Sequence, residues 1–371
     1  MSIDDFPNDN PDLMWRVLRA DGSADPDRHP GLDAEALLRA YREMRRLRLL
    51  DARMVALQRQ GRISFYGGSR GQEAVPIAAA LTIRPDDWVF PALREHGVML
   101  ARGYPLKALI AQVFGNSGDP SKGRQMPCHP SSRSVNQVSW SSCVGTQIPH
   151  AVGAAWAMRA KGTGLVAVAF MGDGATSEGD FHAAMNFAGV WKVPCVLVCQ
   201  NNQWSISVPA ERQTASRTLA VKGGAYGIPS IRVDGNDFLA AYGALHRAVE
   251  RARAGGGPTF VEAVTYRIGP HSTSDDPSRY RSDEQEIEWA QNDPLDRMKL
   301  HLTSIGVLTP VADAELEGSV LAEINAAIDE VEALPQLPAS SFFDDVYAEM
   351  PWHLREERAE LKKVEQTPTA E

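Results

Sequence analysis

Between residues 165 and 266 the sequence switches repeatedly between short apolar runs and segments with helical spacing of apolar residues. Strand candidates at 165–171, 194–199, 229–233 and 259–266 are separated by helical patterns at 178–190 and 237–254. Strands that alternate with helices return in the same direction and are covered on both faces. The expected fold class is therefore α/β, a doubly wound, mostly parallel sheet flanked by helices. Ligands of such sheets bind at the carboxyl ends of the strands. The residues that follow each apolar run are thus the first candidates for chemistry.

The run ending at Met171 is followed by Gly172-Asp173-Gly174. This leaves a carboxylate at a strand tip, and the flanking glycines let a diphosphate come close to the backbone. The second run, Pro194 to Cys199, leads into Asn201-Asn202, and Asn202 lies 29 residues after Asp173. A carboxylate oxygen and an amide oxygen can then converge on one Mg²⁺. Gly-Asp-Gly alone is a common turn. Paired with Asn202 across a helix, it suits a metal-bound phosphate ester.

Three further places carry candidate chemistry. Arg94 follows a strand candidate at Trp88 to Phe90, where its planar fork can hold phosphate oxygens or pair with Glu95 or Asp87. Ser141 to Gln147 opens a helical pattern through Ala160 and serves either as a plain cap or as a small polar cradle. His271, straight after a strand, and His129 can exchange protons near neutral pH.

The chain of 371 residues has a net charge of −9 with its bases interspersed among acids, which argues against nucleic acid or an anionic membrane as partner. No apolar stretch reaches the length of a membrane span, and the first residues are acidic and rich in Pro and Asn, so a cytosolic location is expected. The four cysteines lack Cys-x-x-Cys spacing and read as free thiols. Residues 1–32 read as an extended arm, 33–300 as the α/β domain and 301–371 as a helical segment. A helix begins at Asp33, which can cap it, and Gly61 can close it. The segment Gly269 to Asp283 has almost no apolar side chain and reads as a mobile loop, followed by a capping box of Ser282 with Gln285.

Longer motifs join these pieces. Gly-Arg-Ile-Ser-Phe-Tyr at 61–66, Lys-Gly-Arg-Gln-Met-Pro at 122–127, Val-Asp-Gly-Asn-Asp at 233–237 and Tyr-Arg-Ile-Gly-Pro-His-Ser-Thr-Ser-Asp-Asp at 266–276 appear in order. With Gly-Asp-Gly and Asn-Asn, they make the chain from about 35 to 355 resemble the α subunit of the decarboxylating first component of a 2-oxo acid dehydrogenase complex. The last motif favours the branched-chain branch, because pyruvate-type relatives usually carry Met-Ser-Asp-Pro after the His-Ser pair. Phe-Asp-Asp-Val-Tyr-Ala-Glu-Met-Pro at 343–351 points the same way.

The resemblance implies thiamin diphosphate and Mg²⁺ as cofactors, the metal held by the side chains of Asp173 and Asn202 and the backbone carbonyl of Trp204. It implies that Arg94 and His271 contact the diphosphate and that Gly172, Gly174, Ala175 and Gln200 lie against the cofactor. Ser142 and Val144 match aminopyrimidine contacts, and Ile206 packs near the ring. Ser141, Thr146 and Gln147 match a K⁺ site of branched-chain relatives. Phe65 and Leu93 fall in the substrate pocket, His271 and His129 are the catalytic candidates, and Arg267, Asp275, Tyr280 and Arg281 form a network that orders the loop.

The glutamate that ionises the cofactor comes from another domain in this superfamily, for which 371 residues leave no room. A β subunit in an α₂β₂ heterotetramer and a lipoyl-bearing transacylase are the implied partners, with a small 2-oxo acid as substrate. The chain departs from the family pattern at Leu93, Cys143, Gln200 and Trp204, where tyrosine, proline, arginine or glutamate, and tyrosine are usual. Rival readings are a pyruvate or acetoin dehydrogenase, a nicotinamide-dependent oxidoreductase, and a non-catalytic paralogue.

Overall fold

The computed structural model describes residues 12–365; the rest of the expected amino-terminal arm and the last six residues lie outside the described residues. In chain order the elements begin with helices α1 (Ala34–Arg59) and α2 (Ala74–Thr82), strand β1 (Trp88–Phe90), and helices α3 (His96–Ala101), α4 (Leu106–Phe114) and α5 (Gln147–Ala160). Strand β2 (Ala167–Gly172), α6 (Gly179–Trp191), β3 (Cys195–Asn201) and a small hairpin of β4 (Trp204–Ser205) with β5 (Val208–Pro209) follow. Then come α7 (Val221–Gly224), β6 (Ser230–Asp234), α8 (Phe238–Arg253), β7 (Thr259–Val264), α9 (Asp283–Ala290), α10 (Pro294–Ser304), α11 (Pro310–Glu332) and α12 (Trp352–Glu365).

The main sheet has five strands in the order β1-β2-β3-β7-β6, and every pair is parallel. All residues of β3 and β7 are buried, as expected when helices cover both faces. Alternation divides the two faces: Val168 and Phe170 join Val196 and Val198 beneath α2 and α8, while Ala169 and Met171 join Leu197 and Cys199 beneath α5 and α6. The α/β doubly wound expectation holds. The register pairs Gly172 with Gln200, which sets the tips of β2 and β3 level.

Asp33 caps α1 by accepting from the Ala36 N–H at 2.8 Å, and Gly61 (φ +73°) lets the chain turn away at its end. The described part of the arm is pinned to the sheet edge. Trp15 bridges Val233, and one oxygen of Asp237 takes the N–H groups of Val17 and Leu18 while the other caps α8. At the opposite end α11 packs its buried Ile324 and Ile328 with residues of α1 and α4.

One local expectation meets a different outcome. Ser282 precedes α9 without making a side-chain cap, and the Gln285 side chain is engaged instead by the Tyr266 hydroxyl at 3.3 Å. The segment after Gly269 lacks apolar anchors, and charged side chains hold it, as described below. Cys128, Cys195 and Cys199 are buried free thiols and Cys143 is an exposed one. Among the described residues no helix is long and apolar enough to cross a membrane.

Candidate active site

A cleft of about 370 Å³ opens at the carboxyl ends of β1, β2 and β3. Its floor comes from the strand ends the sequence marked: Gly172, Asp173 and Gly174 at the end of β2, and Gln200 and Asn202 at the end of β3. Asp173 is buried and begins a 3-10 turn closed by the Thr176 hydroxyl, which donates to the Asp173 carbonyl at 2.8 Å. Burial pushes its carboxyl up to about 6, against the Gln213 hydrogen bond and the Arg267 charge that favour the ionised form. Asn202 accepts from the Trp204 N–H at 3.2 Å and donates to Gln72 at 3.0 Å. The Trp204 carbonyl takes a long bond of 3.4 Å from Arg267, which leaves it a second lone pair.

The two glycines act differently. A Cβ at Gly174 would stand 2.2 Å from the Ser205 hydroxyl oxygen, so only glycine fits beneath the β4–β5 hairpin. At Gly172 an added Cβ would meet nothing within 4 Å, so the backbone there faces open space. Ala175 follows in the same wall.

Arg94 is buried, and among the described residues no carboxylate accepts from its guanidinium. It donates to the carbonyls of Gly68 and His271, the latter at 2.7 Å, and lies 3.2 Å from His271 Nδ1. The alternative salt bridges are not formed. Glu95 instead receives the N–H groups of Ala92 and Arg94 and the Gln200 amide, and Asp87 pairs with Arg253 at 2.7 Å. Burial, then the Arg267 charge, lowers the Arg94 guanidinium to about 10. A buried cation whose acceptors are all neutral is built for an anion.

Burial, followed by the charges of Arg94 and Arg267, lowers His271 to about 4, so the ring is neutral at pH 7. Arginine can only donate, so Nδ1 accepts and Nε2 carries the proton. His129 has the reverse arrangement in its neutral form: Nδ1 donates to the Pro127 carbonyl at 2.9 Å, and Nε2 accepts from the Ser142 hydroxyl at 2.7 Å.

Ser141, Ser142, Val144 and Gly145 form one rim of the cleft. Behind it the Ser141 and Thr146 hydroxyls and the Cys143 carbonyl lie 3.1–3.3 Å from one another. Thr146 does not line the cleft; Gln147 does, and its amide nitrogen anchors α5 to the Phe170 carbonyl at 2.8 Å. Phe65, Leu93 and Met126 add an apolar mouth opposite Ile206, which sits on the hairpin at φ +53°.

The loop residues meet below this mouth. Buried Arg267 donates to the Ile206 carbonyl at 2.7 Å and to the Tyr280 hydroxyl at 2.9 Å, and Tyr280 in turn donates to Asp275. Asp275 also receives the His271 N–H at 2.7 Å. Arg281 holds the carbonyls of Arg267 and Gly269 at 2.7 and 2.8 Å and the Glu286 carboxylate at 2.7 Å. Charge-assisted bonds thus replace the apolar contacts that the composition denies this segment.

Sequence reasoning missed three lining or supporting groups: Glu95, Gln72 and Gln213. Glu95 entered only as a possible partner of Arg94, yet burial pushes its carboxyl up to about 7 inside the cleft. Gln213 lies in irregular chain after the hairpin, and no pattern there announces its bond to Asp173.

Fold and site together define an α/β protein whose strand ends bring a carboxylate, an amide and a guanidinium with only neutral acceptors into one cleft. Residues 41–340 match the family model described as dehydrogenase E1 component. The 2-oxoisovalerate dehydrogenase subunit alpha of Pseudomonas aeruginosa is 43% identical over 97% of this chain and 90% of its own. The 3-methyl-2-oxobutanoate dehydrogenase subunit alpha of Mycobacterium tuberculosis is 43% identical over 94% of this chain and 93% of its own. The mitochondrial 2-oxoisovalerate dehydrogenase subunit alpha of Homo sapiens is 40% identical over 95% and 80%, respectively. The chain belongs to the dehydrogenase E1 component family.

Membership implies thiamin diphosphate as cofactor, decarboxylation of a 2-oxo acid as the first step of a complex, and a β subunit as partner. The residues present fit that cofactor. Arg94 lacks an anion, Gly172 faces open space, and the buried Gln200 Oε1 and Gln72 Nε2 line the cleft without a hydrogen-bond partner among the described residues.

Proposed function

We propose that this chain is the α subunit of a branched-chain 2-oxo acid dehydrogenase of the 3-methyl-2-oxobutanoate type, working in an α₂β₂ heterotetramer. The observation that carries the reading is the meeting of Asp173, Asn202 and an anion-free Arg94 in one cleft with an apolar mouth of Phe65, Leu93 and Met126. The branched-chain names of relatives matched over nearly the whole chain support the substrate class.

In this reading the Asp173 carboxylate, the Asn202 side-chain oxygen and the Trp204 carbonyl, all hard oxygen ligands, would hold Mg²⁺. Arg94 and the Nε2 proton of His271 hold the diphosphate, and Gly172, Gly174 and Ala175 approach it with backbone groups. Gln200 would offer its unpaired oxygen, Ser142 and Val144 would contact the aminopyrimidine, and Ile206 would pack against the cofactor. Thiamin diphosphate, when bound, supplies a nucleophilic carbon and an electron sink for decarboxylation. The protein's own part is positioning, exclusion of water and proton traffic: His271 turns its Nε2 proton toward the cleft, and His129 reaches it through the Ser142 hydroxyl bound to its Nε2.

The Ser141 and Thr146 hydroxyls with the Cys143 carbonyl form the candidate K⁺ site, and Gln147 anchors it to β2. The β subunit supplies the glutamate that ionises the cofactor, and a lipoyl group on a transacylase takes the acyl product. Cell fractionation with the activity in the cytosolic fraction checks the expected location.

The test is to purify the chain with its β subunit and compare 3-methyl-2-oxobutanoate, pyruvate and acetoin as substrates. Two extra methyl groups in an apolar pocket should favour the branched acid by about tenfold or more in kcat/KM. Preference for pyruvate or acetoin would reassign the substrate while leaving the cofactor site standing.

A further inference from the structure

Each side chain assigned to the cation is gripped by a glutamine amide from elsewhere in the chain, and neither glutamine belongs to the motifs that marked the site. Gln213 Nε2 donates to Asp173 Oδ2 at 3.0 Å and to the Val208 carbonyl at 3.2 Å. A carbonyl can only accept, so the Val208 contact fixes which way the amide points. Gln213 Oε1 then lies over Gly174, where an added Cβ would stand 3.0 Å from it.

Asn202 is oriented by the same logic. Its Oδ1 accepts from the Trp204 N–H, so its Nδ2 points away and donates to Gln72 Oε1 at 3.0 Å. That leaves Gln72 Nε2 as a donor. It belongs to a side chain 1% exposed that lines the cleft, and it has no hydrogen-bond partner among the described residues. Leaving a buried donor unpaired is unfavourable, so the position is built for an acceptor that enters the cleft.

We propose that Gln72 and Gln213 are the positioning residues of the cation site. Gln213 presents one oxygen of Asp173 by holding the other. Gln72 presents the Asn202 oxygen by holding its amide nitrogen, and donates its own N–H to a phosphate oxygen bound to the same cation. The proposal rests on the reading of Asp173 and Asn202 as Mg²⁺ ligands. Mg²⁺ demands near-octahedral geometry, whereas Ca²⁺ accepts more ligands in looser arrangements. Loss of an orienting partner should therefore cost Mg²⁺ more than Ca²⁺.

The experiment uses the assembled α/β protein with Gln72→Met, Gln213→Met and, for comparison, Asp173→Asn. Mg²⁺ and Ca²⁺ are titrated calorimetrically in excess thiamin diphosphate, and the cofactor-free assembly is melted. Each methionine variant should bind Mg²⁺ about 10–100-fold more weakly, the cost typical of removing a partner that orients a metal ligand. Ca²⁺ should weaken several-fold less, whereas the small fall in cofactor-free melting temperature expected where Gln72→Met leaves Asn202 Nδ2 without its acceptor is the same whichever cation is added afterwards. Unchanged Mg²⁺ affinity, or Mg²⁺ and Ca²⁺ weakening by the same factor, overturns the proposal. If Asp173→Asn keeps the original cation affinity, the ligand assignment itself fails; if it loses that affinity while both methionine variants keep it, only the role of the glutamines fails. Should a methionine variant not assemble, Gln72→Asn and Gln213→Asn, each one methylene shorter, carry the same expectations.

Discussion

Arg94 reaches across 177 residues of sequence to clamp His271 twice, with its guanidinium 2.7 Å from the His271 carbonyl and 3.2 Å from ring Nδ1. The clamp ties the turn after β1 to the start of the loop after β7. It also sets the ring tautomer, because a guanidinium has no lone pair to offer. One residue thus presents positive charge to the cleft and turns the Nε2 proton of another outward.

Arg94→Lys should break this clamp while keeping the charge. Lysine cannot reach both the Gly68 and His271 acceptors with a planar fork. Thiamin diphosphate affinity should fall by about 1.5–3 kcal/mol, the cost typical of a lost hydrogen bond to a charged group. Calorimetry on the assembled protein reads this directly, and undiminished affinity would show that the fork has no part in binding.

His96 makes a prediction about pH. Its ring stacks on Tyr66 at 5.4 Å and lies 4.1 Å from Trp140, with both nitrogens buried and without a partner among the described residues. Burial, then the Arg94 charge, lowers it to about 3. The folded value lies below the unfolded one of about 6.5, so stability is full above that pH. It falls as pH drops through 6.5 toward 3, where the unfolded chain takes a proton that the folded chain refuses. Between about pH 7.5 and pH 5.5 this group alone should cost about 1.4 kcal/mol. Urea unfolding at the two pH values should show that difference shrink in His96→Leu, and an unchanged difference would assign the acid sensitivity elsewhere.

The segment Gly269 to Asp283 contains two arginines of opposite exposure. The Arg279 side chain is 84% exposed, whereas that of Arg281 is 2% exposed and bonded to three acceptors. Trypsin should therefore cut after Arg279 in preference to Arg281 in the cofactor-free assembly. Thiamin diphosphate with Mg²⁺ should slow that cut, since a diphosphate on His271 steadies the segment that Asp275 ties to it. Equal cleavage rates with and without cofactor would remove the loop from the cofactor's influence.

Val144 and Ile206 line the cleft yet are 56% and 52% exposed. Apolar side chains at the mouth of a cofactor site that stay this open suit a second surface closing over them. Adding the β subunit should slow backbone hydrogen exchange at 141–147 and 204–206 and bring decarboxylation from nil to measurable turnover. Robust turnover by the verified isolated chain would refute the need for a partner.

The strand tips were readable because apolar runs end where chemistry begins: Asp173 and Asn202 each follow a buried strand. Parallel register then does what sequence separation cannot state, setting Gly172 beside Gln200. Arg94 stayed ambiguous between phosphate and Glu95, because the choice depends on where Glu95 points, and that is decided by the Ala92 N–H and Gln200. Gln72 and Gln213 were silent because a glutamine in irregular chain looks the same whether it faces water or the Asn202 and Asp173 side chains. The loop's lack of apolar residues was visible and the resemblance named Arg267, Asp275, Tyr280 and Arg281 as its network, but the backbone acceptors of Arg267 and Arg281 are brought together only by the fold.

Asp173 is the only carboxylate among the three oxygen groups assigned to the cation, so its replacement tests the cofactor site most directly. Asp173→Asn keeps the shape and an oxygen but removes the charge that Mg²⁺ requires. In calorimetric titration of the assembled protein, thiamin diphosphate in the presence of Mg²⁺ should bind at least about 100-fold more weakly, or about 2.7 kcal/mol. The cofactor-free melting temperature should stay the same or rise, because burial already disfavours the ionised carboxylate. Thiamin diphosphate affinity equal to that of the unaltered protein would contradict the placement of the metal-bound diphosphate at this strand tip.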